Sequence, residues 1–385
     1  MNLLAWGPAR AALTLGITQT IAYAASLYLP AVLAAPMAAE FGVSRTNVFA
    51  AFSAALFLQA LLGRLLGHVV DRHGGRALLV GASLIFCLGL GGLALSATLI
   101  QFYLAWLVVG CGMALGLYDI AFASLVGWFG TAARRPITGV TLIAGFASTI
   151  GWPLTSWFEA SFGWRDACLV WAAAHLLITL PLHLSLRRGG EHTRVVAAHA
   201  ALPPGARRTM ALLAVAFAAL ALYSTAVQSA LPALLVALGV LPVAALAAST
   251  LAGPSQVAAR VAEALLLHRL HPLQSARLAL ALLFAGAVGL LASGGVFAAP
   301  FAILYGCGAG LFTIARGNLP LALFGAGGYG ARLGLLSIPA QVGYAAAPFA
   351  FSLLSTESPR TATAALVVCA LIGLVALAFV RLRPS

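Results

Sequence analysis

The chain is a succession of long apolar runs with little that is polar between them, and this constrains it more than any motif. With charges, glycines and prolines as punctuation, twelve runs stand out: 10–36, 47–70, 77–97, 102–127, 136–158, 166–186, 210–237, 242–267, 277–295, 298–324, 333–355 and 361–380. About 20 apolar residues is the length at which an α-helix crosses a bilayer's hydrocarbon layer. Inside that layer the backbone must satisfy its own hydrogen bonds, so only helices and closed barrels can span it. Uninterrupted runs of this length read as helices. Composition agrees: 62% of residues are hydrophobic and 8% charged, against about 25% charged in a soluble domain. The expected fold is an all-α polytopic membrane protein with twelve transmembrane helices, surrounded by lipid.

The net charge is +13, and all 21 basic residues are Arg. In a soluble protein that balance would suggest nucleic acid; here no nucleic-acid partner is expected, because basic residues hold loops on the cytoplasmic side. With the N-terminus in the cytoplasm, fifteen Arg fall in cytoplasmic segments and only Arg45, Arg165 and Arg360 in outer loops. Both termini are therefore expected in the cytoplasm of a bacterial inner-membrane protein. Met1–Arg10 is too short and weakly charged for a separate signal peptide, so the first run reads as a retained helix. The five Cys all lie inside apolar runs without CxxC spacing, which argues against a disulfide framework or a metal site. No cofactor is expected either.

The longest polar stretch, Arg187–Arg208, carries charge, Gly and a Pro-Pro pair and reads as a linker. It divides the chain into a six-helix bundle over 1–186, a cytoplasmic linker over 187–209 and a second six-helix bundle over 210–385. The halves look like copies at a near-constant offset. Gly110-Cys111-Gly112 recurs 196 residues on as Gly306-Cys307-Gly308, Arg72 recurs 197 on as Arg269, and Pro153 recurs 195 on as Pro348. Parallel six-helix repeats are a transporter architecture.

Between the second and third runs lies GHVVDRHGGR, Gly67–Arg76, a concentration of charge and glycine in an otherwise apolar chain. Gly63 and Gly67 are spaced for a close helix approach, Gly74 and Gly75 for a tight turn, and Asp71 to accept hydrogen bonds from a helix end. The pattern of Gly67, Asp71, Arg72, Gly74 and Arg76 resembles the signature loop of the major facilitator superfamily. Gly75 stands where that family usually has a basic residue. Gly163-Trp164-Arg165 resembles the GWR found before helix six in many members. The resemblance covers essentially the whole chain. It implies a pseudo-symmetric pair of bundles, a monomer, and a loop whose charge contacts between the halves hold one access state. A plain positive-inside loop is the alternative.

An ionisable side chain in a bilayer costs roughly 2.5–3.5 kcal/mol on insertion scales and usually serves function. Asp119 in the fourth run and Arg316 in the tenth are 197 residues apart, at matching places in the repeat. The resemblance implies that helices one, four, seven and ten line a central cavity, which would set these two facing it. Arg binds carboxylates and oxyanions bidentately, and a carboxylate whose proton affinity depends on a nearby Arg can couple conformation to protonation. A structural ion pair is the other reading. Gln19 and Tyr23 in the first run, Tyr223 and Gln228 in the seventh, and Asn318 beside Arg316 suit a small polar solute, or join helix to helix. Gln256, Arg260 and Glu263 share one face of the eighth helix. With Arg64, at similar depth in the second, they make a cytoplasmic-side charge network or a self-neutralised pair. His175 in the sixth run could relay protons or pack; His183 sits near the interface with no special role expected. Cys111 and Cys307 could hold a soft species such as trivalent arsenic, or mark small-residue packing.

Nothing points to ATP use, and no catalytic constellation appears, so an enzyme is not expected. The expectation is a secondary transporter moving a small organic anion or metalloid by alternating access, coupled to protons through Asp119. Val43–Thr46 resembles monocarboxylate and oxalate carriers; the fourth- and tenth-helix segments resemble a branch that includes arsenite exporters. Gly145, Gly151 and Pro153 partly resemble an antiporter motif in which Trp152 replaces Gly. The alternatives are a uniporter, or a transporter-like sensor without flux.

Overall fold

The computed structural model describes residues 7–188, 206–267 and 270–380. Among these residues every regular element is a helix, and the helices form twelve rods, one for each apolar run. The first rod is α1 (Pro8–Ala24) with α2 (Leu29–Glu40), the second α3 (Arg45–His73) and the third α4 (Arg76–Leu95). The fourth joins α5 (Leu99–Gly116) to α6 (Tyr118–Phe129), and the fifth α7 (Arg134–Ala144) to α8 (Ala147–Phe162). The sixth joins α9 (Trp164–Ala174) to α10 (Leu180–Leu184) through a π-helical turn at His175–Thr179. The seventh is α11 (Ala206–Ala237). The eighth comprises α12 (Pro242–Thr250), α13 (Ala252–Ala262) and a π-helical turn at Glu263–Leu267. Then follow α14 (Pro272–Ser293), α15 (Ala298–Phe324), α16 (Tyr329–Glu357) and α17 (Pro359–Ala378). Most of the expected linker, with Arg269 and residues 381–385, lies outside the described residues.

Eight stretches meet the length and apolarity of a membrane span; two of them, Leu99–Phe162 and Pro272–Phe324, run to 64 and 53 residues, enough for more than one crossing. Large apolar side chains stand on the surface. Leu88, Leu95, Leu177 and Val296 are 69%, 79%, 71% and 91% exposed, which is tolerable only where the surrounding medium is itself hydrocarbon.

The rods pack as two compact units, Met1–Ala200 with Gly325–Leu335, and Ala201–Phe324 with Leu336–Ser385. The core of the first gathers Leu33, Met37, Phe86, Phe102 and Trp106; that of the second gathers Phe217, Leu283, Phe301 and Phe312. Small residues let backbones meet in both. A Cβ on Gly110 would lie 2.6 Å from the Ala55 carbonyl oxygen, and one on its repeat partner Gly306 would lie 2.3 Å from that of Ala252. The recurring Gly-Cys-Gly is thus a pair of close helix crossings.

At the Trp164 end of rod six, Arg165 ties three segments together. Its guanidinium lies 2.7 Å from the Glu40 carboxylate, donates to the carbonyls of Ala94 and Ser96, and stacks 4.5 Å from the Trp164 ring. The turn before it needs Gly163, whose φ is +87°.

Candidate functional site

In the first unit the polar residues gather around a break in rod four. The chain leaves the helix at Leu117, whose ψ of −173° is extended, and starts again as α6. The Gly116 carbonyl, freed of its helical partner, accepts a hydrogen bond from Gln19 Nε2 of α1. Asp119 stands half-buried in the first turn of α6, the positive end of the helix dipole, where a carboxylate is favoured. Tyr23 packs 4.7 Å from Tyr118, and Tyr118 stacks 4.9 Å from Phe122. Tyr28 stands 6.3 Å from Tyr23 and 5.6 Å from Trp152. Gln19 and Tyr23 thus meet Gly116 and Tyr118, the residues that flank the break just before Asp119. Tyr118 was not singled out from the sequence, though its place beside an intramembrane Asp was a signal. Mid-rod breaks whose half-helix ends face a polar site recur in transporter folds.

In the second unit Arg316 is half-buried on α15, and its Nη2 donates to Ser337 Oγ of α16 at 2.8 Å. Asn318, two residues on, is 3% exposed. Tyr223 is buried in the core, its hydroxyl donating to the Leu283 carbonyl at 3.0 Å. Gln228 Nε2 donates to Tyr305 Oη at 3.1 Å, and Tyr305 in turn bonds the Ser224 carbonyl. In this unit sequence reasoning missed Ser337 and Tyr305, which lie outside the first and seventh runs where polar residues cluster.

Of the four residues read as a charge network, Arg64 belongs to the first unit and Gln256, Arg260 and Glu263 to the second. Arg260 is buried and donates to Gln256 Oε1 and Thr313 Oγ1, both at 3.4 Å. Glu263, also buried, accepts from Ser275 Oγ at 3.1 Å. Arg64 is exposed on α3 in a groove with His68, Arg72 and Leu65.

The signature loop is built as follows. Asp71 accepts the backbone N–H of Gly330 on Oδ1 and that of Ala331 on Oδ2, both at 2.9 Å. It therefore caps the start of α16, where two of the free N–H groups of a helix N-terminus await a partner. The helices come close enough because both are bare: a Cβ on Gly67 would lie 2.2 Å from the Gly330 carbonyl oxygen, and one on Gly334 2.3 Å from that of Gly63. Gly74 ends α3 at φ +80°, and Arg76 reaches the Leu184 carbonyl at 2.7 Å. Arg72 is exposed.

A two-unit, twelve-rod helical build with polar clusters inside apolar rods defines a polytopic membrane transport protein. The sequence profile of the Major Facilitator Superfamily matches residues 15–327, and the chain belongs to that superfamily, whose members are transporters. No curated protein matches it in sequence. Three solved structures share the fold. The proton:xylose symporter XylE, bound to 6-bromo-6-deoxy-D-glucose, aligns with a TM-score of 0.73 at 14% identity over 97% of this chain and 94% of its own. The human organic anion transporter MFSD10 (TETRAN) aligns at 0.73 and 16% over 97% and 99%. The transporter FucP, in the outward conformation, aligns at 0.76 and 12% over 97% and 98%.

Proposed function

We propose that this protein moves a small organic anion or metalloid across a bacterial inner membrane by alternating access, coupled to protons, as a monomer with both termini in the cytoplasm. The observation that carries the reading is Asp119 in the first turn of a half-helix inside rod four, at a break whose flanking residues Gly116 and Tyr118 meet Gln19 and Tyr23. A carboxylate held there can exchange a proton while the helix end offers positive potential to an anion. Arg316, oriented by Ser337, supplies the cationic, bidentate group that an oxyanion or carboxylate needs. Tyr223 serves as a positioning residue, and Gln228 and Asn318 contribute amides. Arg260 with Gln256, Glu263 and Arg64 tune the charge at the cytoplasmic end. The Asp71 cap on α16 acts as a latch for one access state, with Gly67, Gly74, Arg72 and Arg76 shaping its loop.

The test is proton movement in proteoliposomes holding an internal pH dye, with lactate, pyruvate, oxalate and arsenite added in turn. The wild type is expected to change internal pH with at least one of them, and Asp119→Asn to lose that change by about tenfold or more. Counterflow of a radiolabelled solute without any pH change would mean uniport and would remove proton coupling.

A further inference from the structure

Rod six carries two histidines that the proposed site does not use. His175 and His183 are 1% and 4% exposed. From the sequence no special role is expected of His183; in the fold it is buried, because α10 packs on α4 and Ser83 of α4 meets its ring. His183 Nδ1 lies 2.8 Å from Ser83 Oγ, Ser83 Oγ lies 2.9 Å from Thr179 Oγ1, and Thr179 Oγ1 lies 3.1 Å from His175 Nδ1. Ser83 and Thr179 are 1% and 0% exposed. This is an unbroken hydrogen-bonded line between two rings. At each end, His175 Nε2 and His183 Nε2 are buried without a partner among the described residues.

Rod six is π-helical from His175 to Thr179, the span that carries the first link of the line. Such turns are rare and are frequent at functional sites. Buried ionisable groups in membrane segments point the same way. The Thr179 hydroxyl has two acceptors, Ser83 Oγ and the His175 carbonyl at 2.7 Å, and so two orientations for its single proton.

We propose that His175, Thr179, Ser83 and His183 form a proton relay inside the first unit, a path separate from Asp119 that delivers or removes the proton of the transport cycle. Its part in transport rests on the proton coupling proposed above. In the conducting order, His175 Nδ1–H points to Thr179, the Thr179 hydroxyl to Ser83, and the Ser83 hydroxyl to His183 Nδ1. A proton taken up at His175 Nε2 sends the Nδ1 proton to Thr179 Oγ1, the Thr179 proton to Ser83 Oγ and the Ser83 proton to His183 Nδ1. The His183 Nε2 proton then leaves. Each bond broken is matched by one formed, no charge is left behind, and both rings end in the other tautomer.

The surroundings favour passage over storage. The π-helical turn and α10 pack on α1 and α4. Those two helices offer only Arg10 and Tyr23, and Arg76 and Cys87, as titratable groups, and neither contains an acid. Arg76 is turned to the Leu184 carbonyl. On rod six itself, Asp166 lies nine residues before His175 and Arg165 is bound to Glu40. Phe86 stacks on the His175 ring at 4.5 Å. Among the described residues, the helices packed on these rings bring no carboxylate to hold an imidazolium, so a proton has reason to move on. The line runs along rod six by way of Ser83 of rod three, and both of its rings lie buried inside the first unit.

The test uses the full-length protein, with 15N-labelled histidine, in bilayers of phosphatidylethanolamine and phosphatidylglycerol. At about pH 7, ring nitrogen spectra should find both rings neutral in opposite tautomers, His175 on Nδ1 and His183 on Nε2, with ring protons that exchange with water. Ser83→Ala should slow exchange at His175 about tenfold or more, and Ser83→Thr should preserve it. Identical tautomers, absence of exchange, or exchange unaffected by Ser83→Ala would overturn the relay. If Ser83→Ala does not fold, Thr179→Val cuts the same line at the next atom. In proteoliposomes given the four solutes, Ser83→Ala should cut the solute-driven pH change about tenfold and leave counterflow within about twofold. A wild-type-like pH change in Ser83→Ala would overturn the relay's role while coupling stands. No pH change in the wild type would overturn coupling, and the ring spectra would still decide the relay.

Discussion

A Cβ atom on Gly75 would lie 1.7 Å from the Ser124 hydroxyl oxygen and 2.9 Å from its Cβ, and Ser124 is itself bonded to the Ile120 carbonyl. That contact gives a physical reason for Gly at a place where related loops carry a basic side chain: the start of rod three lies against α6. Gly75→Ala should therefore lower stability by about 2–3 kcal/mol, as overpacking does. Thermal melting of the purified protein would measure the loss, and adding Ser124→Gly should recover most of it. The residues around Asp119 were partly legible in sequence, since an acid and a Gln in apolar runs stand out by cost alone. The partners of Asp71 were not. They are backbone N–H groups of Gly330 and Ala331, and a backbone group carries no sequence signature.

The rods themselves were legible because bilayer thickness imposes their length. Their interruptions were not. Rod four breaks at Leu117 without proline, and the carbonyl exposed by the break is caught by Gln19, 97 residues earlier. A break stabilised from another rod is a tertiary event, and local propensity does not report it. The π-helical turn in rod six is similar, held by Ser83 of α4. Helix crossings sit between these cases: the glycine spacing in α3 announced a close approach but not its partner. That partner is α16, and Gly67→Ala would drive a methyl into the Gly330 carbonyl. Because backbone rather than a flexible side chain is struck, we expect a loss of about 3 kcal/mol in thermal melting. The Asp71 cap should weaken with it, read as faster amide exchange at Gly330 and Ala331.

At the scale of the whole molecule, the units follow the internal repeat except at residues 325–335, which pack with the first unit although they come late in the chain. The Asp71 cap accounts for this. Asp71→Asn keeps one acceptor but turns an NH2 toward an N–H donor, a change of about 1.5–3 kcal/mol for a charged hydrogen bond. Since 1.4 kcal/mol is tenfold in an equilibrium, the balance of access states should shift by about tenfold or more. Solute flux in proteoliposomes should fall accordingly, while membrane insertion and yield stay unchanged. Undiminished flux would leave the loop as a topological signal only.

That same late segment has a bearing on how the gene can be divided. A cut in the connecting stretch after residue 188 separates the repeats as the sequence draws them, yet it strips the first fragment of the helix start that its Asp71 grips. The first fragment would carry an unanswered carboxylate and a bare glycine face. The second would carry an uncapped helix end. Fragments expressed alone should therefore be short-lived, and the two expressed together should restore each other, complementing in trans as halves of one gene.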